Sequence, residues 1–125
     1  MGKIITCSLS DMENYEADMK YFIVQRPGKV KVAGMRHRPD LAPSQELFFW
    51  AQANKHKDDW FTEYKERFCY DMKNRAGLKA AIDSLENLSK ASTIMLVCFC
   101  ADVNMCHRGL IADELLRRGA SVDRH

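Results

Sequence analysis

Three consecutive residues, Cys106, His107 and Arg108, combine a thiol that can ionise, an imidazole that can move a proton and a guanidinium that grips phosphate or carboxylate with two parallel hydrogen bonds. They precede Leu110, Ile111, Leu115 and Leu116, whose spacing is helical, so they fall in the first turn of a helix. There, unpaired backbone N–H groups and the helix dipole favour an anion and lower a thiol's pKa. Arg36, His37 and Arg38 lie on a stretch without apolar period, and Ser8 and Ser10 follow the first apolar run. A loop folded over the same sheet edge would add these cations and hydroxyls to the site.

The leading expectation is a pocket that binds a small anionic molecule, phosphate-bearing and nucleotide-derived, in order to sequester or sense it. Arg108 clamps the anion, Arg36 and Arg38 close from the loop, Ser8 and Ser10 supply hydroxyl contacts, and Cys106 and His107 line the cavity. The competing account of Arg36 and Arg38 is solvated charge paired with Asp40 or Glu46. The alternative is an enzyme in which Cys106 and His107 perform cysteine- or acid/base-dependent chemistry on a nucleotide or nucleobase. Neither Cys106 nor Cys100 stands at the distance from Arg108 that phosphatase-like loops use, and successive helical residues project about 100° apart, which can turn His107 away from the thiol.

No metal and no cofactor is expected. Cys98, Cys100, Cys106 and His107 are close in the chain, but their spacings do not match the paired ligand patterns of zinc sites. Cys98 and Cys100 share one face of an extended strand, where Cys98 reads as a small buried hydrophobe, as do Cys7 and Cys69. A minor alternative, a nucleic-acid-binding accessory role, rests on Arg117, Arg118 and Arg124. No basic, aromatic-interleaved strand supports it, and arginines at a helix end also complement the dipole.

The elements that must position these groups follow from periodicity. Lys3–Ser8 (KIITCS) reads as a first strand, Tyr21–Gln25 as a second closed by Arg26-Pro27-Gly28, and Lys29–Ala33 as an edge strand or extended loop. Gly34–Pro43 reads as a loop. Pro43 and Ser44 open a helix to about Asn54; a second runs from Asp58 to Lys73 with Trp60, Phe61, Tyr64, Phe68 and Met72 on one stripe; a third covers Gly77–Ser89. The aromatics read as core. Thr93–Cys100 (TIMLVCFC) is a continuous apolar run, as in a central strand covered on both faces. After the loop Ala101–Met105, a helix His107–Arg118 stops at Gly119, and Ser121–His125 begins another strand.

These elements predict a small, Rossmann-like α/β fold in one domain, residues 1–125, with a mainly parallel central sheet flanked by helices. The chain has 125 residues, 46% of them hydrophobic and 29% charged, enough for one core without disulfides or a structural metal. Its longest apolar run, Ala91–Ala101, falls far short of the roughly 20 residues of a membrane span. Five cysteines without a secretion signal point to reduced thiols and a cytoplasmic location. A net charge of +2 is too mild for a general electrostatic nucleic-acid binder. Homo-oligomer formation is compatible with the wide aromatic stripe.

The stretch MLVCFCADVNMCHRGLIADELLRRG resembles the C-terminal signature of the domain of unknown function 488 family, in which a hydrophobic strand ends in Cys and, after a short loop, Cys-His-Arg begins a helix. DLAPSQELFFWAQ resembles the family's Leu-Ala-Pro segment, DDWFTEYKERF its Trp/Tyr-bearing helix, and KIITCSLS its first strand, so the likeness spans nearly the whole chain. Where members often carry Glu two residues after the strand's Cys, this chain has Cys100; where many carry a second His after the Arg, it has Gly109. The resemblance implies a Rossmann-like α/β fold and assigns no activity.

Overall fold

The computed structural model describes residues 2–125, so the first residue of the expected domain lies outside it. Strands β1 (Ile4–Ser8), β2 (Met19–Phe22), β3 (Met35–His37), β4 (Ile94–Cys98) and β5 (Val122–Arg124) form one sheet in the order β3-β2-β4-β1-β5. Every pairing is parallel. Four helices flank it: α1 (Gln45–Asn54), α2 (Trp60–Asn74), α3 (Ala76–Leu88) and α4 (His107–Arg117). Helix α4 packs on β1, β4 and β5 and touches α2 and α3, while a 3-10 segment, Leu9–Asn14, packs on β1 and β4. This is a Rossmann-like α/β domain with one continuous core. Among the described residues, no helix is long and apolar enough to cross a membrane.

The all-buried strands β1 and β4 explain the uninterrupted apolar run, since a parallel strand covered on both faces has no polar side. β4 is the middle strand, as predicted. The second and third strands differ from expectation. β2 lies at Met19–Phe22, earlier than Tyr21–Gln25, because the next two carbonyls serve histidine rings: Ile23 accepts from His107 Nε2 at 2.6 Å and Val24 from His37 Nε2 at 2.7 Å. The edge strand is Met35–His37, inside the stretch read as loop, and not Lys29–Ala33. Gly34, at φ +78°, reverses the chain into β3 in a conformation that only glycine adopts freely. Val30 and Val32 pack against the core from a loop.

Ser44 caps α1, its hydroxyl accepting from the Leu47 N–H at 3.1 Å. Phe68 in α2 and Leu78, Ile82 and Leu85 in α3 are wholly buried, as their period predicts. Chain leaving β2 turns toward β3, whereas chain leaving β4 crosses to β5 on the far side of β1. The carboxyl ends of β2 and β4 therefore flank a topological switch point, where open parallel sheets leave a crevice.

Beyond β4, a 3-10 turn (Val103–Met105) leads to Cys106 at the mouth of α4. Gly109 lets the helix approach that turn: a Cβ there would stand 2.2 Å from the Val103 carbonyl oxygen, which explains glycine at this position. Gly109→Ala is expected to cost about 1–3 kcal/mol by overpacking against main chain, measured by urea denaturation; an unchanged midpoint would contradict the close approach.

Candidate functional site

A pocket of about 630 Å³, including its open mouth, occupies the switch-point crevice. Val24, Gln25 and Arg26 line it beyond β2, Cys98, Phe99 and Cys100 beyond β4, and Met105, Cys106 and His107 before α4. Helices α1 and α2 close the other side with Phe48, Ala51, Gln52, Lys55, Trp60 and Tyr64. Its floor holds three free thiols. The sulfurs of Cys98, Cys100 and Cys106 all lie within 4.8 Å of one another, with Cys98 and Cys106 2.9 Å apart. Cys98 and Cys106 are buried, whereas Cys100 is partly exposed.

The three thiols do not share their protons equally. Hydrogen bonds from Cys106 and then Cys98 hold the Cys100 thiol well below the ordinary thiol range against opposing burial, with the charge of Lys55 acting the same way. The Cys106 and Cys98 thiols are pushed up, first because each donates toward Cys100. Cys100, the partly exposed member, is therefore the lowered thiol of the set, while Cys98 Sγ also accepts from the Cys100 N–H at 3.4 Å. Three sulfurs this close could also hold a soft cation, a possibility that linear spacing did not reveal.

His107 is buried, and that burial lowers its pKa, so the ring is neutral. Its Nε2–H donates to the Ile23 carbonyl, which leaves Nδ1 as an unprotonated acceptor, 3.7 Å from Cys106 Sγ. The imidazole is turned toward the adjacent thiol despite the angular offset of successive helical residues, because Cys106 sits in extended backbone (φ −143°, ψ 147°) ahead of the helix.

Arg108 occupies a different place from the anion clamp expected of it. It is 1% exposed and does not line the pocket. Its Nη1 donates to the Cys100 carbonyl at 2.6 Å and to Cys98 Sγ at 3.6 Å, Nη2 to the Ala101 carbonyl at 3.4 Å and Nε to the main-chain oxygen of His125 at 3.2 Å. Burial opposes its charge, yet Cys106 and Cys98 beside it raise its pKa.

Nor do the other expected cations and hydroxyls gather at this pocket. Arg38 makes a two-pronged pair with Asp40, at 3.0 and 2.8 Å, over the ring of Tyr21, and Arg36 is exposed on β3. Ser8 is bonded to Ser10 and Asp11. The C-terminal arginines pair with acids: Arg117 with Glu114, Arg118 with Asp83, Glu86 and Glu114, Arg124 with Asp113. The cations that reach the pocket are Arg26 and Lys55, the first stacked on Phe49 and the second set over Trp60. The aromatic residues read as core also supply its wall.

The profile of the DUF488-N3a family, described as the active DUF488-N3 subclade, matches residues 4–119. The chain belongs to the DUF488-N3a family. No curated protein and no solved structure matches it. Within this family member, the matched span contains all the thiols of the pocket floor together with His107 and Arg108.

Two outcomes follow. Iodoacetamide should label Cys100 nearly as fast at pH 6 as at pH 8, because a thiol with a depressed pKa stays ionised while an ordinary one loses about tenfold in rate per unit below its pKa; a tenfold-per-unit fall at Cys100 would refute the assignment. Arg108→Ala should destabilise the fold by about 3 kcal/mol or more, since it strands main-chain oxygens and removes a buried charge partner of the thiols. A drop of under 1 kcal/mol in denaturant titration would show that the guanidinium is not a structural tie.

Proposed function

We propose that the pocket is a thiol-dependent active site for a small, flat, anionic molecule of the nucleotide or nucleobase-derivative kind, with Cys100 as nucleophile. The observation that carries this reading is the placement of one partly exposed thiol, beside two buried thiols and lowered in pKa, on the floor of the switch-point pocket. A thiolate is the reactive form of cysteine. Arg26 and Lys55 at the wall suit an anionic group, and Phe48, Trp60 and Tyr64 suit a planar ring. The description of the subclade as active agrees with an enzyme.

This reading transfers roles from the expected residues to new ones. Cys100 takes the nucleophile's place from Cys106, Arg26 and Lys55 take the anion from Arg108, Arg36 and Arg38, and Arg108 fixes the loop behind the thiolate. A pure binder, the other reading, uses the same wall without needing an ionised thiol.

A thermal-shift screen of nucleotides, nucleosides and bases should find a stabilising ligand, with a shift worth roughly 2.7 kcal/mol at 100 times the dissociation constant. Lys55→Ala with Arg26→Ala should weaken that ligand at least tenfold. Cys100→Ser should retain it and abolish its conversion, followed by mass spectrometry of the small molecule. Conversion by Cys100→Ser at the parent rate would remove the nucleophile assignment, and retained affinity in the double variant would remove the anion site.

A further inference from the structure

Two buried thiols stand directly behind the Cys100 sulfur, and ligand binding alone gives them nothing to do. Were the substrate bonded to Cys100 through an alkyl or ring carbon, the adduct would be a thioether, which a neighbouring thiol does not readily displace. Bonded through sulfur, the adduct is a disulfide, and thiolate attack on a disulfide sulfur is the ordinary route of exchange. Cys106 has what a second attacker needs. Its Sγ is within 4.8 Å of Cys100 Sγ, and the free Nδ1 of His107, fixed by the bond to Ile23, lies 3.7 Å away to receive its proton. Cys98 has a cation beside it instead, Arg108 Nη1 at 3.6 Å, and stands 2.9 Å from Cys106.

A metal ion is the competing use of three thiols. Sulfurs bound to one tetrahedral zinc at about 2.3 Å stand about 3.8 Å apart, so the Cys98–Cys106 pair is too close for that geometry and lies on the way to a sulfur–sulfur bond.

We propose that Cys106 is the resolving thiol of this site and that the bond attacked by Cys100 is the S–S bond of a small disulfide, so that the protein carries out thiol–disulfide exchange. The proposal rests on Cys100 as nucleophile, keeps the flat, anionic character of its substrate and puts a disulfide in place of the nucleotide or nucleobase derivative. In the first step, the Cys100 thiolate bonds to one sulfur of R–S–S–R′ and expels R′–S⁻ toward Arg26 and Lys55, where it takes a proton from water. In the second, Cys106 gives its proton to His107 Nδ1 and bonds to the Cys100 sulfur, expelling R–S⁻, which takes the proton back from His107. The substrate disulfide is reduced to two thiols, and Cys100 and Cys106 are oxidised to an internal disulfide that Cys98 can accept by exchange. Two equivalents of a small thiol R″–SH reset the site: the first opens the internal disulfide to a mixed disulfide, and the second displaces the protein thiol and leaves as R″–S–S–R″.

The test uses the full chain with Cys69→Ser, which removes a half-buried thiol outside the pocket, and dithiobis(nitrobenzoic acid), an aromatic, carboxylate-bearing disulfide whose released thiol is coloured. The expected result is two equivalents of coloured thiol per protein, an intact mass lower by two hydrogens with no retained adduct, and an internal disulfide at Cys106 in peptide mapping. Cys106→Ser should release one equivalent and keep the adduct on Cys100, whereas Cys98→Ser should still release two. Should Cys106→Ser not fold, the intact mass and map of the parent decide alone. An adduct that persists on Cys100 of the parent overturns the resolving role and leaves Cys100 as nucleophile. Release from Cys100→Ser at the parent rate overturns both. Stoichiometric metal in native mass spectrometry of the purified protein overturns the exchange in favour of a metal centre.

Discussion

The guanidinium of Arg108 is carried almost completely out of water and placed where the chain leaves the central strand. Burying a charge costs several kcal/mol unless each donor is met and a counter-charge lies close. Here the donors are met by main-chain oxygens of residues 100, 101 and 125, and the nearby sulfurs bear on the charge itself. The same interaction therefore fixes the path of the loop after β4, ties that loop to the segment after β5 and sets a guanidinium nitrogen against the Cys98 sulfur. Gly109 and the 3-10 turn Val103–Met105 are the steric complement, because they let α4 start close enough for Arg108 to reach back beneath the loop.

A cluster of three thiols in such a place cannot ionise uniformly. A second thiolate within 4.8 Å of the first would be opposed by like charge and burial. The asymmetry in access selects the member that ionises. Cys100 opens on the pocket and near Lys55, whereas Cys98 and Cys106 are enclosed and serve as donors. His107 belongs to this arrangement through its tautomer: a carbonyl at the end of β2 takes its proton-bearing nitrogen and so points the bare one at Cys106.

Much of this architecture is legible in the sequence where one signal dominates. The apolar runs of β1 and β4, the Ser44 cap and the stripe of α2 each carry a single local cause, and their elements appear where predicted. The bounds of β2 and the place of β3 escaped because Ile23 and Val24 look like strand but spend their carbonyls on histidines that are distant in sequence, and Met35–His37 looks like loop until Gly34 turns it onto β2. At the site, Cys106 and His107 were legible from the strand–loop–helix pattern. Arg108 was legible in position but not in direction, since residue type says that it grips oxygen and not whether the oxygen is a ligand's or the chain's own. Cys100 was passed over because ligand spacing was read along the chain. The signal available was that Cys98 and Cys100 alternate at the carboxyl end of a central strand, with a third Cys at the start of the helix that returns over it. Arg26, Lys55 and the wall aromatics lie on other elements and had no local signal.

Positive charge at this site is layered, and the layers act on different quantities. Arg108, enclosed and bonded to main chain, does not line the pocket, so it acts through the loop that it holds and the Cys98 sulfur beside it. Arg26 and Lys55 lie at the aromatic wall, where contact with solvent screens them; both distinguish ligands by charge and shape, and Lys55 also helps to lower the Cys100 thiol. Substitution of Arg26 should therefore change which molecules are held, and substitution of Lys55 both that and the ionisation of Cys100. Separation of this kind lets one buried reactive centre be kept constant while the wall residues from α1, α2 and the loop after β2 vary, because none of the wall side chains contributes to the hydrogen bonds that hold the loop after β4.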